Sequence, residues 1–229
     1  AIRVAVGALS KELLKVFGIK IEAQVEAIGG VKAKMPNGIV GEKLYQNEVY
    51  CPDDLAGEKI KKRIDEAIQN GDSLGGIFCI RVEGLVPGLG SHVQWDRRLD
   101  GLLVQSLMSV PGIKAVEFGL GFKTADLPGS EVHDEISYDE EKGFYHLSNN
   151  AGGLEGGITN GEPLIVRAAM KPIPTLMSPL KSADIITKEA YLASVERSDV
   201  CAVPAASIVG EAAISWTIAV ALIEKFGGD

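Results

Sequence analysis

Apolar residues recur at helical spacing through the start of the chain, at Ile2, Val4, Ala5, Leu9, Leu13 and Phe17, and Gly18 follows where a helix would stop. The spacing predicts an opening helix over 1–17. The next stretch, Ile19 to Ala27, alternates apolar and polar, the period of a strand with one buried face, and this places Lys20, Glu22, Gln24 and Glu26 toward solvent. Asp53 and Asp54 stand where they can cap a helix running to about Asn70 around Leu55, Ile60, Ile64, Ala67 and Ile68, with Gly71 to end it. Further on, the pattern predicts strands over 77–82, 113–118 and 164–170, a helix over 98–108 and a closing helix over 207–226. With no internal repeat, low-complexity tract or linker, residues 1–229 read as a single domain.

Composition narrows the class of partner. The chain has 229 residues, 46% of them hydrophobic, enough to bury a sizeable core. A net charge of −8 argues against a nucleic-acid surface, so an anionic ligand needs a focused cationic site. Cys51, Cys79 and Cys201 are odd in number and widely spaced, which suggests neither a disulfide framework nor zinc, and the cytoplasm is the expected compartment. The longest apolar stretch, Ile208 to Ile223, is short for a membrane span and contains Glu211, so a buried helix is expected and no membrane partner. The chain opens on Ala1 within an amphipathic pattern, as if it continued something longer.

Three segments carry candidate chemistry. Ser148 to Gly161 is dense in glycine, which lets backbone approach a ligand or pack tightly in turns; the spacing fits neither a dinucleotide fingerprint nor a P-loop. Lys171-Pro172-Ile173-Pro174-Thr175 offers an ammonium on a proline-stiffened segment, suited to an anion or simply solvated at a strand end. Arg197 and Asp199 flank Ser198, so in extended backbone both side chains share one side, either to act on one ligand or as a surface ion pair. His133-Asp134-Glu135 lacks metal-ligand spacing, Ser73 lacks a nucleophile elbow, and no metal site is expected.

In this order and spacing the three segments resemble chorismate synthase. Asp72-Ser73-Leu74-Gly75-Gly76, Val86 to Gly90, Leu99-Asp100, Leu107 to Gly119 and Gly129 to Glu135 extend the resemblance over nearly the whole chain. The family implies an α+β fold with helices packed between antiparallel β-sheets, and usually a homotetramer. It implies a lyase that converts 5-enolpyruvylshikimate 3-phosphate to chorismate by anti-1,4-elimination of phosphate. Reduced FMN is required without net redox change, and a transient electron from it assists phosphate departure. NADPH is the reductant for some members. Such a site holds two phosphorylated anions together and excludes water, for which fixed cations and backbone amides are the suitable tools.

Carried over by position, the flavin contacts are Pro111 and Gly112, which replace other residues seen at that pair in some members, then Gly156, Lys171, Pro172, Ile173, Pro174, Thr175 and Arg197. Asn150 and Ala151 are expected to shape the same pocket. Asp199 matches the aspartate thought to handle a proton near the flavin N5, a role for an ionised, partly desolvated carboxylate. Family members also begin with a segment that has no counterpart here, bearing both histidines usually assigned as acids and two arginines; His92, His133 and His146 do not replace them. The chain therefore reads as the carboxy-terminal portion of a chorismate synthase. The alternative is a non-catalytic fragment that keeps the fold and oligomerises.

Overall fold

The computed structural model describes residues 1–141 and 143–227. In chain order, helix α1 (Ile2–Val16) leads into β1 (Lys20–Ile28) and short β2 (Val31–Lys32), then α2 (Asp54–Asn70), β3 (Gly76–Glu83), α3 (Leu99–Met108) and β4 (Ile113–Phe118). An excursion follows with the one-turn helix α4 (Gly129–Val132) and two hairpins, β5 (Ile136–Asp139) with β6 (Gly143–His146) and β7 (Leu154–Glu155) with β8 (Ile158–Thr159). Strand β9 (Leu164–Met170), the hairpin of β10 (Lys181–Ala183) and β11 (Ala190–Leu192), and helix α5 (Val203–Phe226) complete the chain.

Five strands form one antiparallel sheet in the order β2-β1-β3-β9-β4. Helices α1, α3 and α5 form a layer on one face, and the core lies between, where Ala23, Val25, Phe78, Ile80, Val82, Val166 and Ala168 meet Leu103, Leu107, Ile214 and Ile218. This is the α+β architecture expected. Alternation along β3 explains the inner face: Phe78, Ile80 and Val82 are buried in turn, and Gly210 of α5 leaves room for the Phe78 ring. Helix α2 is capped as its sequence implies, with the Asp53 carboxylate accepting the Ala56 N–H at 3.1 Å and Gly71 left-handed at φ +66°. Its buried positions are Ala56, Gly57, Ile60 and Ala67, while Leu55 and Ile68 are exposed.

Two patterns came out otherwise than their periodicity implied. In β1, Glu22 and Gln24 are not on a solvent face; they are 2% and 3% exposed. The segment after β2 folds back over them. Glu22 accepts N–H bonds from Val40 (2.8 Å) and Gly41 (2.7 Å) and one from the Gln24 amide (2.6 Å), which offsets the cost of burying a carboxylate. Glu26 is half-buried against Arg167 at 2.8 Å, and Lys20 alone of the four stays exposed. In α1 the phase differs. Gly7, Ser10 and Leu14 face the protein, while Ile2 and Leu9 are 81% and 74% exposed. Small residues win this face because α1 and α5 approach closely: a Cβ on Gly7 would stand 2.3 Å from the Ala212 Cβ.

Helix α5 begins four residues before the sequence pattern implied, with Pro204 in its first turn, where a missing N–H costs no helical bond. It is long and apolar enough to cross a membrane by length and composition, yet it packs on α1, α3, β1 and β3. Glu211, 4% exposed, is held inside by the Lys11 ammonium at 2.5 Å and the Ala23 N–H at 2.7 Å. Burial pulls the Lys11 pKa down, but the bond and charge of Glu211 outweigh it and leave it raised.

The excursion between β4 and β9 is organised by another carboxylate. Asp134 accepts N–H bonds from Asn150 (2.7 Å) and Ala151 (2.9 Å) and a hydroxyl bond from Ser148 (2.5 Å). Burial pulls its pKa upward, and the bonds from Ala151, Ser148 and Asn150 outweigh it, so the carboxyl lies below its ordinary value. All three cysteines are free thiols.

Gly7→Ala should therefore destabilise the fold by about 1–3 kcal/mol, although alanine is the better helix former, because the new methyl meets the Ala212 backbone. Urea denaturation checks this, and an unchanged midpoint would remove the close contact. For Asp134 the folded pKa is lower than the unfolded one, so its contribution is present above about pH 4 and lost as pH falls through the folded value. Thermal melts between about pH 5 and pH 2.5 should fall less steeply for Asp134→Asn than for the parent. Parallel curves would mean that the carboxylate is not linked to folding.

Candidate functional site

The turn between α2 and β3 gathers two distant segments. At its start Gly71 is left-handed, and Asp72 accepts the Ser73 N–H at 2.7 Å. The Ser73 hydroxyl donates to the Ile173 carbonyl at 2.6 Å, and the Leu74 N–H donates to the Val200 carbonyl at 2.8 Å. Ser178 adds two bonds, from its N–H to the Gly71 carbonyl and from its hydroxyl to the Asn70 carbonyl, both 3.0 Å. The segment leaving β9 is thus fixed along its length.

That segment begins at Lys171, whose N–H donates to the Gly112 carbonyl at 2.9 Å, so Pro111-Gly112 lies directly beside it. Gly112 sits at φ +87°, and a Cβ there would reach the Met170 side chain at 2.9 Å. Pro172 and Pro174 carry no N–H, which keeps the stretch out of any ladder, and their rings stiffen it. Farther along, the Ser198 hydroxyl donates to the Thr175 carbonyl at 3.0 Å. Arg197 and Asp199 flank that serine. These bonds join the segments that carry Pro111 and Gly112, Lys171 to Thr175, and Arg197 and Asp199. Lys171, Arg197 and Asp199 are all exposed, and none of them forms an ion pair with another described residue.

The remaining expected contacts lie elsewhere. Asn150 and Ala151 sit at the opposite end of β9, where the Asn150 carbonyl accepts the Leu120 N–H (2.9 Å) and the Gly152 carbonyl accepts the Ile165 N–H (3.1 Å). Seven residues of β9 separate them from Lys171, roughly 20 Å of strand. They border a cleft of about 460 Å³ with Val116, Glu117, Phe118 and Phe122. Gly156 forms the β7–β8 turn with Gly157, at φ +60° and +88°, and the space beyond it is open. The Gly157 carbonyl accepts the Leu99 N–H at the start of α3, whereas Pro111 follows the end of that ten-residue helix, roughly 15 Å away. Much of the glycine run serves packing: a Cβ on Gly152 would stand 2.3 Å from the Gly119 nitrogen and one on Gly153 2.7 Å from the Pro163 oxygen.

Sequence reasoning treated Ser73 as a turn residue, weighed Asp134 only as a metal ligand and as part of a family segment, and gave Ser198 no role. Nothing local marks them, because their partners lie 100, 23 and 14 to 17 positions away. His146 stands between Glu162 (3.4 Å) and Glu155 (3.7 Å), away from the Lys171 group. Among the described residues no cluster of three His, Cys, Asp or Glu side chains could hold a metal ion.

Comparison with known proteins gives one consistent result. The chorismate synthase family model matches residues 1–223. Chorismate synthase from Desulforamulus reducens is 58% identical over the whole chain, and that from Moorella thermoacetica 54%; the chain spans 60% of the length of each. The Bacillus subtilis chorismate synthase is 53% identical, again with 60% of its length covered. A chorismate synthase crystal structure superposes with a TM-score of 0.83 at 44% identity, covering 99% of this chain and 63% of that one. Matched along nearly its whole length in both sequence and fold, this chain belongs to the chorismate synthase family.

Proposed function

We propose that this chain provides the cofactor-holding part of a cytoplasmic, homotetrameric chorismate synthase, a lyase that eliminates phosphate from 5-enolpyruvylshikimate 3-phosphate to give chorismate. The observation that carries this reading is that two exposed cations, Lys171 and Arg197, stand on segments joined by the Ser198–Thr175 bond, with no ion-pair partner among the described residues. In a chain of net charge −8, uncommitted cations on joined segments offer a local focus for a phosphorylated anion.

The residues present fit a phosphorylated flavin. Lys171 and Arg197 supply charge, and Gly112 allows close backbone approach. The bonds at residues 171, 173, 175 and 178 fix the segment in advance, so little ordering is left to occur on binding. Reduced FMN, when bound, supplies the transient electron that assists loss of phosphate. The protein's part is to hold the anions, keep water from the reacting face and manage a proton at the Asp199 carboxylate. NADPH is the proposed source of reducing equivalents. Asn150 and Ala151, at the other end of β9, and Gly156, in the β7–β8 turn, join the flavin contact by family position.

The test uses the longest natural protein that contains this sequence. Arg197→Ala should weaken reduced-FMN binding by about 1.5–3 kcal/mol, roughly 10- to 150-fold, by fluorescence titration. Unchanged affinity would remove Arg197 from the site. Asp199→Asn should keep flavin affinity and lower turnover of 5-enolpyruvylshikimate 3-phosphate, since shape is preserved and proton handling is lost. Equal losses of affinity and rate would make Asp199 a structural residue.

A further inference from the structure

Three hydrogen bonds close a ring around the candidate site. Ser73 donates from Oγ to the Ile173 carbonyl (2.6 Å), Ser198 donates from Oγ to the Thr175 carbonyl (3.0 Å), and the Leu74 N–H donates to the Val200 carbonyl (2.8 Å). The ring joins the 72–74 turn, the Lys171 segment and the Arg197 segment. Of its two side-chain members, Ser198 is exposed and Ser73 is 6% exposed. The Ser73 backbone is locked by Asp72, so its hydroxyl has a fixed origin.

We infer that Ser73 is a positioning residue for the anion site, setting the distance between the Lys171 ammonium and the Arg197 guanidinium through the Ile173 carbonyl. The inference rests on the flavin-site reading above. Long cationic side chains hold an anion well only when their backbones are held. Both proline-bearing and arginine-bearing segments here are exposed and outside the main sheet, so side-chain bonds to the turn do the fixing that ladder bonds do elsewhere. Removing the hydroxyl leaves the Ile173 carbonyl without its donor and frees the segment between Lys171 and Thr175.

The experiment is reduced-FMN titration and steady-state kinetics of Ser73→Ala, Ser73→Thr and Ser198→Ala, each also combined with Arg197→Ala, in the longest natural protein containing this sequence. Ser73→Ala should weaken flavin binding about tenfold, with the loss in affinity larger than the loss in turnover at saturating ligand. Ser73→Thr keeps the hydroxyl and should recover most of the affinity; Ser198→Ala, at an exposed position that tolerates change, should shift affinity in the same direction. In the Arg197→Ala background Ser73→Ala should add little, because both act on one anion contact. If Arg197→Ala weakens binding while Ser73→Ala and Ser198→Ala do not, the positioning role is overturned and the flavin site stands. A loss from Ser73→Ala that is fully additive with Arg197→Ala and tracks a fall in melting temperature also overturns it. If Arg197→Ala leaves flavin binding untouched, the site reading fails and this inference with it.

Discussion

The fold depends on a carboxylate that has no business in an apolar helix unless it is met on both oxygens. Glu211 lies in the middle of α5, and its two oxygens are taken by the Lys11 ammonium from α1 and by the Ala23 N–H from β1. That N–H points away from β3, toward the side of β1 that β2 pairs only at its far end, where the Val25 N–H is likewise taken by the Tyr50 carbonyl at 2.9 Å. One buried charge therefore sets the register of α1, α5 and the sheet together. Gly7 against Ala212 is the steric counterpart, since the two helices reach that register only by coming closer than a methyl group allows.

The same device recurs through the chain. Glu22 gathers the Val40 and Gly41 amides and fastens the segment after β2 over the outer face of the sheet. Asp134 gathers the Asn150 and Ala151 amides and folds the excursion between β4 and β9. Each carboxylate organises backbone that has few ladder bonds of its own, so part of the chain's acidity is spent inside rather than on solvent. Cations on the sheet are occupied similarly, Arg167 by Glu26 and Arg81 by Glu83 at 2.7 Å. Against this, Lys171, its N–H held by the Gly112 carbonyl, and Arg197, next to the Ser198 that bonds Thr175, form no ion pair with another described residue.

The helical layer also has an outer side. Ile2 and Leu9 of α1 and Trp216 and Ile223 of α5 are exposed on helices whose other faces pack inside. The apolar stripe that periodicity detects in α1 is real, but close approach through Gly7 and Ser10 was available on a different face, and packing took it.

Read alone, the sequence determined the main strands and helices, the glycine and aspartate signals that bound α2, and the family, because these depend on neighbours in the chain and on motif order. It placed Pro111, Gly112, Lys171 to Thr175, Arg197 and Asp199 as one group on family position, and in the fold their segments are joined by the Lys171–Gly112 and Ser198–Thr175 bonds. It also grouped Asn150, Ala151 and Gly156 with them, and these stand at the other end of β9 and at the β7–β8 turn. Which face of α1 is buried, how Glu22 and Gln24 escape solvent, and what Ser73 and Asp134 bond to were decided only by the tertiary structure. The reason is physical: a periodicity records that one face is apolar, but burial of a polar group is settled by donors and acceptors that arrive from far along the chain.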